Sequence, residues 1–427
     1  MVQVKHKFNT ALGKMLQPQP VSEADIEAPY IKSMHVQWHG VSFEDLPCMW
    51  ASPADIAQLN LQVGDLMVCE GGEVGRGALV LNDPPPFCIF QNALHRVRAS
   101  DANDVRYLNY CLKQASEAGW FEVLCNRATI AHFTVEKFRE LRLHLPSGES
   151  QRLIADYLDR ETARIDGLIA EKERMLALLE EKRAALISRV VTRGLDPNAL
   201  LKLSGQEWLG EIPAHWCVLR LKFATRGIDQ GSSPQCYAYP AEPGEWGVLK
   251  TGCVNGGEFR EHENKALPDG SEAFPESEVH QGDVLMSRAS GSADLIGSVA
   301  LVSRQPAARL LLSDKIYRIR FRGDVLDSRF LVLAMSAGYL RHQIKSVISG
   351  AEGLANNIAK SDIMELLIVV PPVLEQVRIA SCLGRAITSN KLHCESLRES
   401  IVLAKERRAA LITAAVTGQI PLEEMTG

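Results

Sequence analysis

Nowhere in the 427 residues do eighteen apolar residues run together, so no segment reads as a membrane-spanning helix. The opening MVQVKHKFNT lacks the apolar stretch that directs export. The ten cysteines are scattered, with no Cys-x-x-Cys and no Cys/His grouping at metal-ligand spacing. They read as reduced, mostly buried thiols of a cytosolic protein rather than a disulfide framework or a zinc site. An excess of positive charge is also missing: 47 Lys and Arg against 52 Asp and Glu leave a net charge of −5. That balance counts mildly against nucleic acid, which usually selects a basic footprint. Net charge is a weak test, because contact with phosphate needs only local cations.

Catalytic signatures are absent as well. The segment GGEVGRG, residues 71–77, is rich in glycine but lacks the Gly-x-Gly-x-x-Gly spacing, and no phosphate-binding Gly-x-x-x-x-Gly-Lys-Ser/Thr occurs. It reads as a tight hairpin or loop. DPPPF, residues 83–87, approaches the Asp/Asn-Pro-Pro-aromatic motif of amino-methyltransferases, but an extra proline displaces Phe87 and no glycine-rich strand precedes it. A proline-rich turn is the better reading. The eleven histidines form no i, i+4 pair beside a carboxylate, so metal-assisted hydrolysis has no anchor.

What the chain does have is itself, twice. KRAALISRVVTRG, residues 182–194, returns as RRAALITAAVTGQ, residues 407–419, at an offset of 225. At the same offset Pro146, Gln151, Ile154, Ala155 and Leu158 match Pro371, Gln376, Ile379, Ala380 and Leu383. Upstream, VGDLMV (63–68) answers QGDVLM (281–286), and GRGALV (75–80) answers GSVALV (297–302) with four residues inserted between. A variable loop belongs at that insertion. The chain is therefore two copies of one unit, each a globular part followed by a helix.

Periodicity sets the helices. Ile154, Leu158, Ile165, Leu168, Met175, Leu179, Leu186 and Val190 form an a/d stripe from Gln151 to Val191, interrupted by Glu161, Lys172 and Lys182. Ile379, Leu383, Leu397, Ala404, Leu411 and Ala415 form its partner from Glu375 to Val416, polar in the middle at Asn390 and His393. Each helix could pack on its own domain, but their length favours packing on each other as an antiparallel coiled coil. The globular parts are mixed. WGVLKTGCV, GDVLMSRA, SVALVS and KIYRIRF read as strands, and DVRYLNYCLKQA and SRFLVLAMSAGYLRHQIKSV as helices. Each half closes on a strand, LRLHLP or LLIVVP, whose proline stops it before the long helix. The fold class is α+β.

SGQEWLGEIPAHWCV, residues 204–218, resembles the segment that leads into the second recognition domain in specificity subunits of type I restriction-modification systems. TRGLDPN (192–198), GDVLMSRASGS (282–292), PPVLEQVRIA (371–380) and AAVTGQI (414–420) extend the resemblance over almost the whole chain, and the duplication is a family trait. The resemblance implies target recognition domains at 1–146 and 196–372, the latter with an entry linker at 196–220. Helical spacers follow at 147–195 and 373–420, with a tail at 421–427. The first half begins at KHKF, equivalent to LKF at 221–223, without a counterpart of the Trp216 region. Its start is either trimmed or completed by the C-terminal tail.

By the same resemblance, each recognition domain reads half of a split, asymmetric site in double-stranded DNA. The paired helices hold the domains apart and dock two methylation subunits, and restriction (motor-nuclease) subunits join. The chain itself does no chemistry, needs no cofactor or metal, has no membrane partner and is cytoplasmic. A self-sufficient methyltransferase and a coiled-coil scaffold unrelated to DNA are the alternatives. Base edges are read by Arg, Lys, Asn and Gln from loops beside the duplicated strands. The candidates are Arg288, Ser290, Ser292, Lys315, Asn356 and Asn357 in the second half. In the first half they are Glu73, Arg76, Asn92, Asn126, Arg127 and His132.

Overall fold

The computed structural model describes residues 1–124, 133–271, 274–349 and 356–426. Two compact units make it up: Met1–Glu173 with Arg398–Gly427, and Arg174–Leu397.

The same sheet is built in each. In the first unit the strand order is Phe8–Leu12, Leu94–Ala99, Leu66–Cys69, Gly77–Leu79, antiparallel throughout. In the second it is Thr225–Gln230, Ile316–Phe321, Val284–Ser287, Val299–Leu301, again antiparallel. The inner strands are apolar on both faces because both faces are covered. Leu66 and Val68 pack with Leu108 and Leu112 of helix Val105–Glu117, while Met67 and Cys69 face Ile31, Ile89 and Phe90. Val284 and Met286 likewise face Phe330 and Leu331, and Leu285 faces Val254 and Leu310. This is the two-residue period of a strand written into two separate cores.

Each sheet is pinned by an arginine of its long strand to an aspartate that precedes an inner strand. Arg98 donates to Asp65 (Nη2–Oδ2 2.8 Å), and Arg318 to Asp283 (Nη1–Oδ2 3.2 Å) and Asp229 (Nε–Oδ2 2.9 Å). Partial burial alone would raise the Asp229 carboxyl, but the hydrogen bonds from Arg320 and Arg318 hold it below its ordinary value.

The segment read as one helix over Ser328–Val347 is two, Ser328–Ser336 and Gly338–Val347. Ala337 between them is extended and buried, and the break returns Leu340 and Ile344 to the core. Asp104 and Asp327 cap the equivalent helices by accepting the amides of Arg106 (2.8 Å), and of Arg329 and Phe330 (3.0 Å each).

The long helices span Gly148–Arg193 and Val373–Val416. They run antiparallel. In the first unit Ile154 and Leu158 pack with Ile412 and Ala415, and Asp166 pairs with Arg408 at 2.8 Å. In the second, Ile187 packs with Ile379 and Leu383, and Asn390 donates to the Leu179 carbonyl at 3.1 Å. The seam differs from the stripe in its middle. Leu168 and Met175 are about half exposed, whereas Ile169, Cys394 and Ile401 are buried. A straight helix drifts off a strict heptad, and the burial moves by one position to follow it.

A linker and a tail do the same job in the two units. In the second, Ile212 and Trp216 are buried against Val190, Val191 and Ile379, and Trp216 donates to Glu375 (Nε1–Oε2 3.0 Å). In the first, the C-terminal Ile420 and Met425 pack with Tyr107, Ile154, Ile412 and Val416. Gly418-Gln-Ile-Pro of the tail repeats Gly210-Glu-Ile-Pro of the linker. Strand Cys217–Arg220 pairs with Leu367–Val370, and the shorter Val2–Gln3 pairs with Arg142–Leu143 in the equivalent register.

Candidate nucleic-acid interface

The inserted loop of the second unit is structured. Ala289–Ser290 leaves the end of strand Val284–Ser287 and pairs antiparallel with Asn356–Asn357. The backbone of Arg288 donates to the Lys315 carbonyl (2.9 Å) and its carbonyl accepts from Ile358 (3.1 Å). Five of the candidates, Arg288, Ser290, Lys315, Asn356 and Asn357, are thus tied together by strand pairing. Ser292 is exposed beyond them, where it opens a short 3₁₀ turn at Ala293–Leu295.

Their side chains are not equally available. The Arg288 guanidinium donates to the Asp314 carbonyl (Nη1–O 3.1 Å), and its buried Nε finds no acceptor among the described residues. Asp314 is itself fixed, by the Gln230 amide on its carbonyl (2.9 Å) and by the Ser233 hydroxyl on its carboxylate. Lys315 is exposed, and no carboxylate reaches it among the described residues. Asn356 and Asn357 are half-buried, with the Asn357 carbonyl accepting the Ser349 amide at 3.0 Å. Among the described residues the geometry is a small platform with one free cation, two amides and one tethered guanidinium.

In the first unit the equivalent loop is a tight hairpin between Leu66–Cys69 and Gly77–Leu79. Gly75 sits there at φ +77, and a Cβ on it would lie 2.4 Å from the Phe121 ring. Arg76 is spent internally: it donates to Glu73 (Nη1–Oε2 2.9 Å) and to the Ser33 carbonyl (Nη2–O 2.9 Å). Glu73 also accepts the Trp38 indole at 2.6 Å. These contacts bind the hairpin to the segment Ser33–Trp38, a structural role that needs no DNA. Asn92 lies in the turn before Leu94–Ala99, its backbone amide on the Lys14 carbonyl at 2.9 Å. The structure does not bring Asn92 to Arg76 through any described hydrogen bond. Asn126, Arg127 and His132 lie outside the described residues.

One feature of the second unit escaped the sequence reading. Tyr237 and Tyr239 stack with ring centroids 5.1 Å apart and planes 10° apart, about half exposed, beside strand Asn264–Ala266 with its exposed Lys265. The signal was present as aromatics two residues apart in QCYAYP, between Pro234 and Pro240. Exposed stacked aromatics beside a cation suit a base or a sugar face. Among the described residues no group of three or more His, Cys, Asp and Glu could hold a metal ion. No described helix is long and apolar enough to cross a membrane.

The architecture is that of a duplicated α+β domain on paired antiparallel helices. Residues 54–175 match the type I restriction modification DNA specificity domain. The chain is 31% identical over 242 residues to the type I restriction enzyme EcoEI specificity subunit of Escherichia coli, covering 56% of this chain and 39% of that one. It is 24% identical over 258 residues to the EcoKI specificity subunit of Escherichia coli strain K12, covering 59% and 52%. The matches thus span about two-fifths to one-half of those relatives. The fold is shared with a chain from structural work on complex assembly and conformational transition of the type I R-M system, at TM-score 0.69 and 15% identity over 96% of this chain and 97% of that one. It is also shared with the HsdS subunit from Thermoanaerobacter tengcongensis, at TM-score 0.52 and 16% identity over 97% of both. Residues 54–175 thus carry a type I restriction modification DNA specificity domain, and the chain is similar to type I specificity subunits.

Proposed function

We propose that this chain is the DNA sequence-specificity subunit of a type I restriction-modification complex, acting in the cytoplasm. The observation that carries this reading is the duplicated sheet with a loop of different length and chemistry on each copy, in a chain that matches a DNA specificity domain. Two copies give one polypeptide the approximate twofold character with which a dimer meets two half-sites, yet each copy is free to read different bases. Residues 1–146 and 196–372 are the recognition domains, and the stretches 147–195 and 373–420 are the helical spacers. Methylation subunits dock on the helices, restriction subunits join them, and the chain itself holds no cofactor and performs no bond-making step.

In the second domain Lys315 meets phosphate, Asn356 and Asn357 offer paired amides to base edges, and Arg288 reads or supports from its tether. Ser290 and Ser292 line the same edge. In the first domain Asn92, Asn126, Arg127 and His132 are the readers, and the Glu73–Arg76 pair braces the hairpin between Leu66–Cys69 and Gly77–Leu79.

Methylation-sensitive sequencing of a genome expressing this chain with its methylation subunit tests the reading. A split, non-palindromic methylated motif that disappears without the chain is the expected result. A palindromic motif, or S-adenosylmethionine binding by the chain alone in calorimetry, would overturn it.

A further inference from the structure

The ends of the two inner strands carry one arrangement twice. Glu70 follows Leu66–Cys69 as Arg288 follows Val284–Ser287, and the two backbones are held alike. Glu70 donates its amide to the Ala93 carbonyl (2.9 Å) and accepts the Phe133 amide (2.8 Å), while Arg288 donates to Lys315 (2.9 Å) and accepts from Ile358 (3.1 Å). The next partner repeats as well. His95 Nε2 lies 2.8 Å from the Phe133 carbonyl, and the Tyr317 hydroxyl donates to the Ile358 carbonyl at 3.2 Å. Both side chains turn toward that partner, Glu70 with Oε2 3.9 Å from His95 Nε2 and Arg288 beside the Tyr317 hydroxyl. Asn92, one residue before Ala93, takes the place of Asp314, one residue before Lys315. What does not repeat is charge: Arg288 and Lys315 of the second unit are Glu70 and Ala93 in the first. The Glu70 side chain is 19% exposed, so a molecule lying on the domain reaches it. Each arrangement also holds a buried nitrogen with no partner among the described residues, Nδ1 of His95 and Nε of Arg288. Such orphans are few in a folded chain.

We propose that Glu70 is a base-reading residue of the first domain, the counterpart of Arg288, and that its carboxylate accepts the exocyclic N4 amine of a cytosine in the major groove. This rests on the DNA-specificity reading above and on Arg288 as part of its platform. An ionised carboxylate only accepts, and cytosine is the base that presents an amine and no acceptor at that edge. Guanine presents two acceptors there, N7 and O6, which suit Arg288 and repel Glu70. One scaffold thus selects opposite hydrogen-bonding edges in the two half-sites by exchange of a single side chain.

The test is made on the full chain in complex with its methylation subunit. In the methylated motif of the native complex, the half assigned to residues 1–146 by domain exchange should contain a C·G pair. On duplexes that differ only at such a pair, Glu70→Ala should reduce the preference for cytosine by about tenfold or more and leave the second half-site as selective as before. Glu70→Gln should admit adenine at that pair, since an amide meets N6 and N7 together. The native motif answers even where Glu70→Ala folds poorly. A first half-site without a C·G pair would overturn the proposal. So would a Glu70→Ala chain that keeps the preference, or one that slows methylation of all the duplexes alike, which would leave Glu70 as a support for His95. Loss of any split motif that depends on the chain would instead count against the DNA-specificity reading itself.

Discussion

Gln376 binds the domain to its helix by way of Asp327. Its Oε1 accepts the Asp327 amide at 2.8 Å, and its Nε2 donates to the carbonyls of Val325 (2.8 Å) and Pro371 (2.7 Å). Gln151 repeats the arrangement, accepting from Asp104 at 3.1 Å and donating to Pro146 (2.9 Å) and Asn103 (3.0 Å). Both glutamines are fully buried, and both aspartates cap the next helix. Gln376→Leu keeps the volume but strands an amide and two carbonyls, so it should cost on the order of 3 kcal/mol. Urea unfolding would show it as a lowered midpoint. An unchanged midpoint would mean that water replaces the amide.

The platform beside Ala289–Ser290 separates two kinds of contact. Lys315→Ala should weaken binding on all duplexes alike and make the salt slope shallower by about one, as loss of a phosphate contact does. Arg288→Ala should cost about 1–3 kcal/mol and relax one base position. Fluorescence anisotropy on matched and mismatched duplexes at several salt concentrations distinguishes the two. If Arg288→Ala weakened all sequences equally, its tether to Asp314 would be its whole role.

Modularity is a separate expectation. Replacing residues 1–146 by the first domain of another specificity subunit should change one half of the methylated motif and leave the other. Alteration of both halves, read by sequencing the methylated sites, would mean that the domains read jointly.

Acid should loosen the first unit through His95. The ring is fully buried, with Nε2 on the Phe133 carbonyl at 2.8 Å and Nδ1 unpartnered among the described residues. Burial pushes its pKa below the ordinary 6.5. The unfolded chain therefore takes up a proton that the folded chain refuses. The stability this site contributes is present above pH of about 6.5 and declines as pH falls below it. Melting midpoints from pH 8 to pH 5 should drop more steeply for the native chain than for His95→Gln. Parallel curves would remove His95 as the cause.

Much of the architecture was legible because it was written twice. The helices Gly148–Arg193 and Val373–Val416 match their expected spans to within three residues at every end, since long periodic segments carry redundant information. The strands with alternating or buried runs were equally plain. The break at Ala337 was not, because an apolar run that crosses a buried turn has the same composition as one that does not. The site was legible only in part. Arg288, Ser290, Asn356 and Asn357 lie far apart in sequence and meet through strand pairing, and Arg288 and Arg76 prove tethered by carbonyls that no motif announces. Stacking of Tyr237 on Tyr239 depends on a local turn of the backbone and left only its spacing in the sequence.

The tail residues Ile420 and Met425 sit in the core that Tyr107 and Ile154 begin. The order of synthesis therefore inverts the order of completion. The second unit is one continuous stretch, Arg174–Leu397, and can close while the ribosome is still translating, whereas the first unit waits for the residues that follow Leu397. A stop after Val416 would leave the second unit whole and open the core of the first.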